Sequence, residues 1–157
     1  MSEPLVCPQQ IVDKQWIDYK GHLNMAYYNV LFDRALDHVL EALGIGITYI
    51  RETHESCFTL EAHVTYLREL MEADPVQVSY QLLDMDNKRL HLFGQMYHAK
   101  DLYLAATSEQ MMLQVDLRTK KAVHFAPGIQ PVLRSLLDNH SALSRPEQAG
   151  HVIGIRR

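Results

Sequence analysis

The sequence is poor in cysteine, has no excess of positive charge and contains no long apolar run, and each shortage removes a class of function. Cys7 and Cys57 are the two cysteines in 157 residues, and they share neither metal-ligand nor redox spacing. Met1-Ser2-Glu3-Pro4 has no basic n-region and no apolar h-region, so reduced thiols in a soluble cytoplasmic protein are expected. No apolar run approaches the ~20 residues of a membrane-spanning helix. A net charge of −4 offers no basic face to nucleic acid. None of the nine histidines stands at i,i+2 to i,i+4 spacing from another, so no metal site is expected. Gly-x-Gly-x-x-Gly, P-loop and Gly-x-Ser-x-Gly phrases are also missing, which leaves dinucleotide, nucleotide and serine-esterase chemistry without support.

What is present is concentrated in Asp18-x-x-Gly21-His22-x-Asn24-x-x-x-Tyr28. It joins an extended run, Leu5 to Lys14 with Pro8 inside it, to an amphipathic helix from Met25 to Leu43. Asn24 is the expected N-cap and Gly44 the stop. Met25, Tyr28, Phe32, Ala35, Leu36, Val39, Leu40 and Leu43 recur at three- and four-residue steps and form its apolar stripe. From Cys57 to about Phe125 the pattern is that of strands. Phe58, Leu60, Ala62, Val64 and Tyr66 alternate with polar positions, and reversals are expected at residues 72–75, 86–88, 100–101 and 118–121. A second helix is expected over Ile129–His140, with an irregular tail after Pro146. The expected fold class is α+β: one domain over 1–157, an antiparallel sheet wrapped around one long helix, its core in about 5–125, and an extra C-terminal helix and tail in 126–157.

A carboxylate shortly before a buried helix suits acyl chemistry, because helix-start N–H groups can hold a developing oxyanion. Asp18 is then general base or nucleophile, with Met25 or its neighbour supplying the backbone donor. The competing reading makes Asp18 a bracket for the turn. Gly21 permits the turn, His22 either ties it to a neighbouring subunit or orients water, and Asn24 caps the helix or orients the carbonyl. Tyr28 lies on the apolar stripe. Glu61 and Glu109 stand among apolar neighbours, where a carboxylate is costly unless paired or employed. With Trp16, Tyr27, Tyr66 and Tyr103 they can hold a cationic substrate group, or they form salt bridges between subunits. Lys88, Arg89, Arg118, Lys120 and Lys121 are turn cations able to meet phosphates.

Asp18, Gly21, His22, Asn24, Tyr28, Asp33 and the phrase Val64-Thr65-Tyr66-Leu67-Arg68 together resemble the hotdog-fold thioesterases of the 4-hydroxybenzoyl-CoA type. Trp16-Ile17-Asp18-Tyr19, Ala106-Thr107-Ser108-Glu109, Val115-Asp116 and Arg145-Pro146 resemble betainyl-CoA thioesterases of carnitine breakdown. The resemblance implies a CoA-ester substrate, no metal or other cofactor, and a homodimer or homotetramer whose sheets join edge to edge with active sites at the subunit interface. It places the family's acid at Asp18 and its backbone oxyanion donor at Met25 or close to it. Beside this, the residues themselves make Asp18, His22, Asn24 and Met25 the catalytic candidates and Trp16, Tyr28, Glu61, Tyr66 and Glu109 the candidate contacts of a short polar acyl group, the betainyl group in particular. The alternative is a non-catalytic acyl-CoA binder on the same scaffold.

Overall fold

The computed structural model describes residues 2–157. Its elements are β1 (Leu5–Val6), β2 (Gln10–Ile11), a 3-10 turn (Lys14–Trp16), α1 (Met25–Ala42), α2 (Ile47–Thr53), β3 (Glu55–Tyr66), β4 (Pro75–Met85), β5 (Arg89–His98), β6 (Leu104–Asp116), β7 (Lys121–Ala122) and α3 (Gln130–His140). The sheet order is β1-β4-β5-β6-β3, all antiparallel, with β2 also on β4 and β7 on β6. The sheet wraps around α1, the α+β hotdog arrangement.

The helix forms where expected. Asn24 caps it by accepting the Ala26 N–H at 3.0 Å, and Gly44 follows its end at φ +77°. Tyr28, Leu31, Phe32, Ala35, Leu36 and Val39 are buried against the sheet, each large side chain worth about 1.5–3 kcal/mol of apolar burial. Leu31, absent from the expected stripe, is fully buried, whereas Met25, included in it, is 62% exposed. Met25 sits on the first turn of the helix, where its side chain stays outside the core.

Three other expectations are corrected. The first strand is broken at Pro8 into β1 and β2, because proline cannot donate to β4. Residues 47–53 form a helix, not foreseen; its first N–H, Ile47, donates to the Glu41 carboxylate at 3.0 Å, a cap delivered from the previous helix. Phe58, Leu60, Ala62, Val64 and Tyr66 do not share one face. A bulge between Thr59 and Glu61 reverses the alternation, so Phe58 stands opposite Leu113 on the outer face while Ala62 and Val64 stand opposite Gln110 and Ser108 on the helix side.

At the far edge, α3 closes β4 beyond the reach of β1 and β2. The Leu82 N–H, left without a strand partner beside a second bulge, donates to His140 Nδ1 at 2.8 Å, and His140 Nε2 donates to the Glu3 carbonyl at 3.0 Å. This pair of bonds requires the neutral imidazole. Burial of His140 lowers its pKa below the ordinary value. The unfolded chain therefore takes up a proton that the folded one refuses. Stability from this site is complete above the ordinary histidine pKa, ~6.5, and declines as pH falls below it. His140→Gln is expected to lower the urea midpoint at pH 7.5 and to flatten its fall between pH 7 and 5. A variant with the wild-type pH slope would remove the assigned role of this imidazole.

Candidate active site

The motif folds into a frame closed by its own backbone. Gly21, at φ +84°, donates its N–H to the Asp18 carbonyl at 3.0 Å, and the Asp18 N–H returns to the His22 carbonyl at 3.2 Å. Asn24 N–H donates to the Trp16 carbonyl at 2.9 Å, and Leu23 N–H to Leu70 at 2.8 Å, so the strand-to-helix junction is pinned on both sides. This explains the spacing of the motif: glycine supplies the turn, and asparagine returns at the point where the helix begins.

The Asp18 carboxylate has a donor on each oxygen. Lys20 N–H reaches Oδ1 at 2.9 Å, and Asn24 Nδ2 reaches Oδ2 at 3.0 Å. The Lys20 amide first, then the Asn24 side chain, lower its pKa, so at neutral pH the group is an anion. Since Asn24 Oδ1 accepts from Ala26 N–H, one side chain links the carboxylate to the helix start. Tyr27 N–H donates to the Asn24 carbonyl at 3.0 Å, while Met25 N–H has no acceptor among the described residues. An oriented anion therefore stands beside an open, helix-polarised donor.

Asp18, His22, Asn24, Met25, Tyr28 and Tyr66 line one cleft of about 470 Å³. The rings of Tyr28 and Tyr66 meet edge to face at 5.1 Å, and the Tyr66 hydroxyl donates to the Met25 carbonyl at 3.2 Å, holding β3 to the helix start. Trp16 stands outside the lining. It stacks on Tyr27 at 5.6 Å with the Arg34 guanidinium 5.2 Å from its ring centre, and it serves the site through its carbonyl.

Glu61 and Glu109 are not brought to this cleft. They line a smaller cavity of about 210 Å³ on the opposite face of the sheet, with His63, His91 and His151, where Glu109 bonds His91 Nε2 at 2.8 Å. No set of three or more His, Cys, Asp or Glu among the described residues converges in a way that could hold a metal ion. Of the turn cations, Arg89 pairs with Asp86, and Arg118 with Asp116 at 3.0 Å. The cations in the cleft are instead Lys20 and Arg68, the latter 3.9 Å above the Tyr103 ring. Lys20 occupies an unspecified position of the motif, and Arg68 closes the phrase Val64–Arg68. Both were within legible segments, yet only the fold sets them beside Asp18.

Among the described residues no helix is long and apolar enough to cross a membrane. Both cysteines are free and buried.

Residues 12–133 match the model of the thioesterase-like superfamily. The chain is 36% identical to a betainyl-CoA thioesterase of Pseudomonas aeruginosa, covering 99% of this chain and 98% of that one. It is 35% identical to an L-carnitine dehydrogenase/betainyl-CoA thioesterase of Rhizobium sp, covering 97% of this chain but 31% of the relative, so it spans about a third of that longer protein. A hypothetical protein of Staphylococcus aureus solved in complex with CoA superposes with a TM-score of 0.91 at 30% identity, covering 99% of this chain and 98% of that one. A putative thioesterase of Pseudomonas putida superposes with a TM-score of 0.85 at 30% identity, over 99% of each chain. Fold, cleft and relatives agree, and the chain belongs to the thioesterase-like superfamily.

Proposed function

We propose that this chain hydrolyses acyl-CoA thioesters, with a short polar acyl group as substrate and the betainyl group as the favoured case. The observation that carries the reading is the pairing of the oriented Asp18 carboxylate with the open Met25 N–H. Water adds to the thioester carbon while Asp18 takes its proton, or Asp18 itself adds and water then opens the anhydride. On either route the carbonyl oxygen becomes negative within reach of the Met25 amide. The C–S bond then breaks, CoA leaves as the thiolate, and a proton restores its thiol. His22 orients water at the mouth, and Lys20 and Arg68 meet CoA phosphates.

In a betainyl thioester a single methylene separates the carbonyl carbon from the quaternary ammonium. Whatever holds that cation must therefore lie in the cleft of Asp18. Tyr28 and Tyr66 present ring edges and faces there, and the Asp18 carboxylate is a counter-charge. Glu61 and Glu109, on the other face, do not reach it within one chain.

The proposal includes self-association through β3. This 12-residue strand has β6 on one side and, among the described residues, no strand on the other, and Phe58 and Leu60 are exposed along it. Such an edge is normally blunted or covered, and a second copy would cover it as a homodimer or as half of a homotetramer. Nucleic acid and membrane are not among the proposed partners.

A panel of betainyl-, acetyl-, benzoyl- and medium-chain acyl-CoA esters, followed with a thiol reagent, tests the activity. The betainyl ester is expected to give the highest kcat/KM. Binding of these esters with turnover no faster than buffer would leave the non-catalytic binder as the correct reading.

A further inference from the structure

The outer face of the sheet fastens the chain that follows α3. Gly150 N–H donates to both Glu109 oxygens, at 3.1 and 2.8 Å, and the His151 ring packs edge-on against His63 of β3 at 5.7 Å. Beyond this anchor the support stops. Val152, Ile153 and Ile155 are 82%, 84% and 85% exposed, followed by Arg156 and Arg157. Single exposed apolar residues are ordinary, but three aliphatic side chains grouped beside an open sheet edge form a patch.

The edge itself constrains what can cover it. Through the bulge, Cys57 and Thr59 share the helix-side face with Ala62 and Val64, and Phe58 shares the outer face with Glu61 and His63. Antiparallel self-pairing must set residues of the same face opposite one another. Pairing across the bulge meets this only when the two-fold axis passes through the bulge region. In the centred register, Ala62 stands opposite Thr59 of the partner subunit and Val64 opposite Cys57 of the partner subunit. On the outer face, His63 stands opposite Phe58 of the partner subunit, and the two Glu61 carboxylates approach each other across the axis.

We propose that residues 152–157 of each chain cross this seam and cover the outer face of a second copy, with Val152, Ile153 and Ile155 against Phe58 and Leu60 of the partner subunit. The proposal rests on the edge-pairing reading given above. Distance favours the crossing. Within one chain Phe58 lies about 13 Å along the strand from His63, four positions of the facing β6 at ~3.3 Å per residue, whereas across the seam it is one strand spacing away, ~4.8 Å. Charge favours it too. Glu61 has no cationic partner among the described residues, and Arg156 makes no salt bridge among them, its guanidinium instead donating to His151 Nδ1 at 3.3 Å. The arginines thus reach an axis where two like charges need neutralising.

Three proteins test this in the analytical ultracentrifuge: the full chain, a chain ending at His151, and full-length Ile153→Asp/Ile155→Asp. Both altered proteins are expected to raise the dimer dissociation constant about a hundredfold, as loss of several buried aliphatic side chains implies. Their circular dichroism should not change, because the removed side chains touch no core. Separately prepared Phe58→Cys and Ile153→Cys proteins, mixed and oxidised, are expected to form a mixed disulfide, which can only be intermolecular. The native thiols do not compete, since burial pushes Cys7 up to about 11 and Cys57 up to about 12. An unchanged dissociation constant with no mixed disulfide would overturn the arm and leave the paired edge standing. A full chain that stays monomeric would overturn both.

Discussion

Asp18→Asn is expected to lower kcat for CoA-ester hydrolysis by about 10²–10⁴, the usual contribution of a positioned proton acceptor. The amide is close in size to the carboxylate and can still accept the Lys20 N–H, now 2.9 Å from Oδ1. It loses the charge, and its NH₂ group faces Asn24 Nδ2, a donor against a donor where the native pair is 3.0 Å apart. For an ester without a cationic acyl group, substrate binding should change little, because the cleft walls from Tyr28, Tyr66 and Arg68 are untouched. The loss should thus fall on kcat more than on KM. Asn24→Ala separates the two functions of the frame. It removes a helix cap, costing about 1 kcal/mol of stability, and it removes one of two donors to Asp18 while leaving Lys20 in place. Its rate should therefore lie between those of wild type and Asp18→Asn. Since backbone and side-chain donors lower the Asp18 pKa, the acid limb due to this residue belongs below the ordinary aspartate value of ~3.9. Activity carried by the anion is complete above that limb and is lost as pH falls through it. A purified Asp18→Asn protein that keeps the wild-type rate would reduce Asp18 to a turn bracket.

Much of this site is legible in the sequence because its signals are local. Asn24 and Gly44 mark the ends of α1 by chemistry that acts within a few residues of each helix terminus. Gly21 marks the turn for the same reason. The features that escape are those fixed across the sheet. The bulge at Leu60 inserts one residue with no compositional trace, yet it reverses the facing of half of β3 and puts Phe58 beside Glu61 on the outer face. The apolar neighbours of Glu61 and Glu109 leave substrate contact and a salt bridge between subunits both open in the sequence, because which face a strand residue serves depends on what covers that face. Here Gly150 and His91 engage Glu109. The helix over 47–53 is rich in β-branched residues and receives its cap from Glu41, so neither propensity nor a local stop signal announces it. The sequence marks His140 only as a helix terminus, and its bond to Leu82 N–H depends on a second bulge in β4.

Gly94→Ala is expected to destabilise the fold by about 1–3 kcal/mol, the cost of overpacking a filled core. Gly94 lies on β5, opposite Tyr80 of β4 and Ser108 of β6, on the face that receives α1. A methyl group there would stand 2.7 Å from Tyr80 Cε1, 3.0 Å from Cζ and 3.3 Å from Phe32 Cδ1. Relief by moving the tyrosine is blocked at its other end. Tyr80 is fully buried, and its hydroxyl donates to the Phe32 carbonyl at 3.0 Å, so a retreating ring would abandon a buried hydrogen bond. The strain therefore passes to Phe32 and to α1 itself. Since the first residue of that helix presents the open Met25 N–H, a shift of α1 on the sheet also moves the proposed oxyanion donor relative to Asp18. A melting temperature roughly 2–4 °C lower per kcal/mol is expected for a chain of this size. Tyr80→Phe in the same protein frees the ring from the helix carbonyl, and the double variant should be less destabilised than the two single changes imply. Strict additivity would mean that ring and glycine do not share a contact. An unshifted melting curve for Gly94→Ala would mean that α1 is not seated on the sheet at this point.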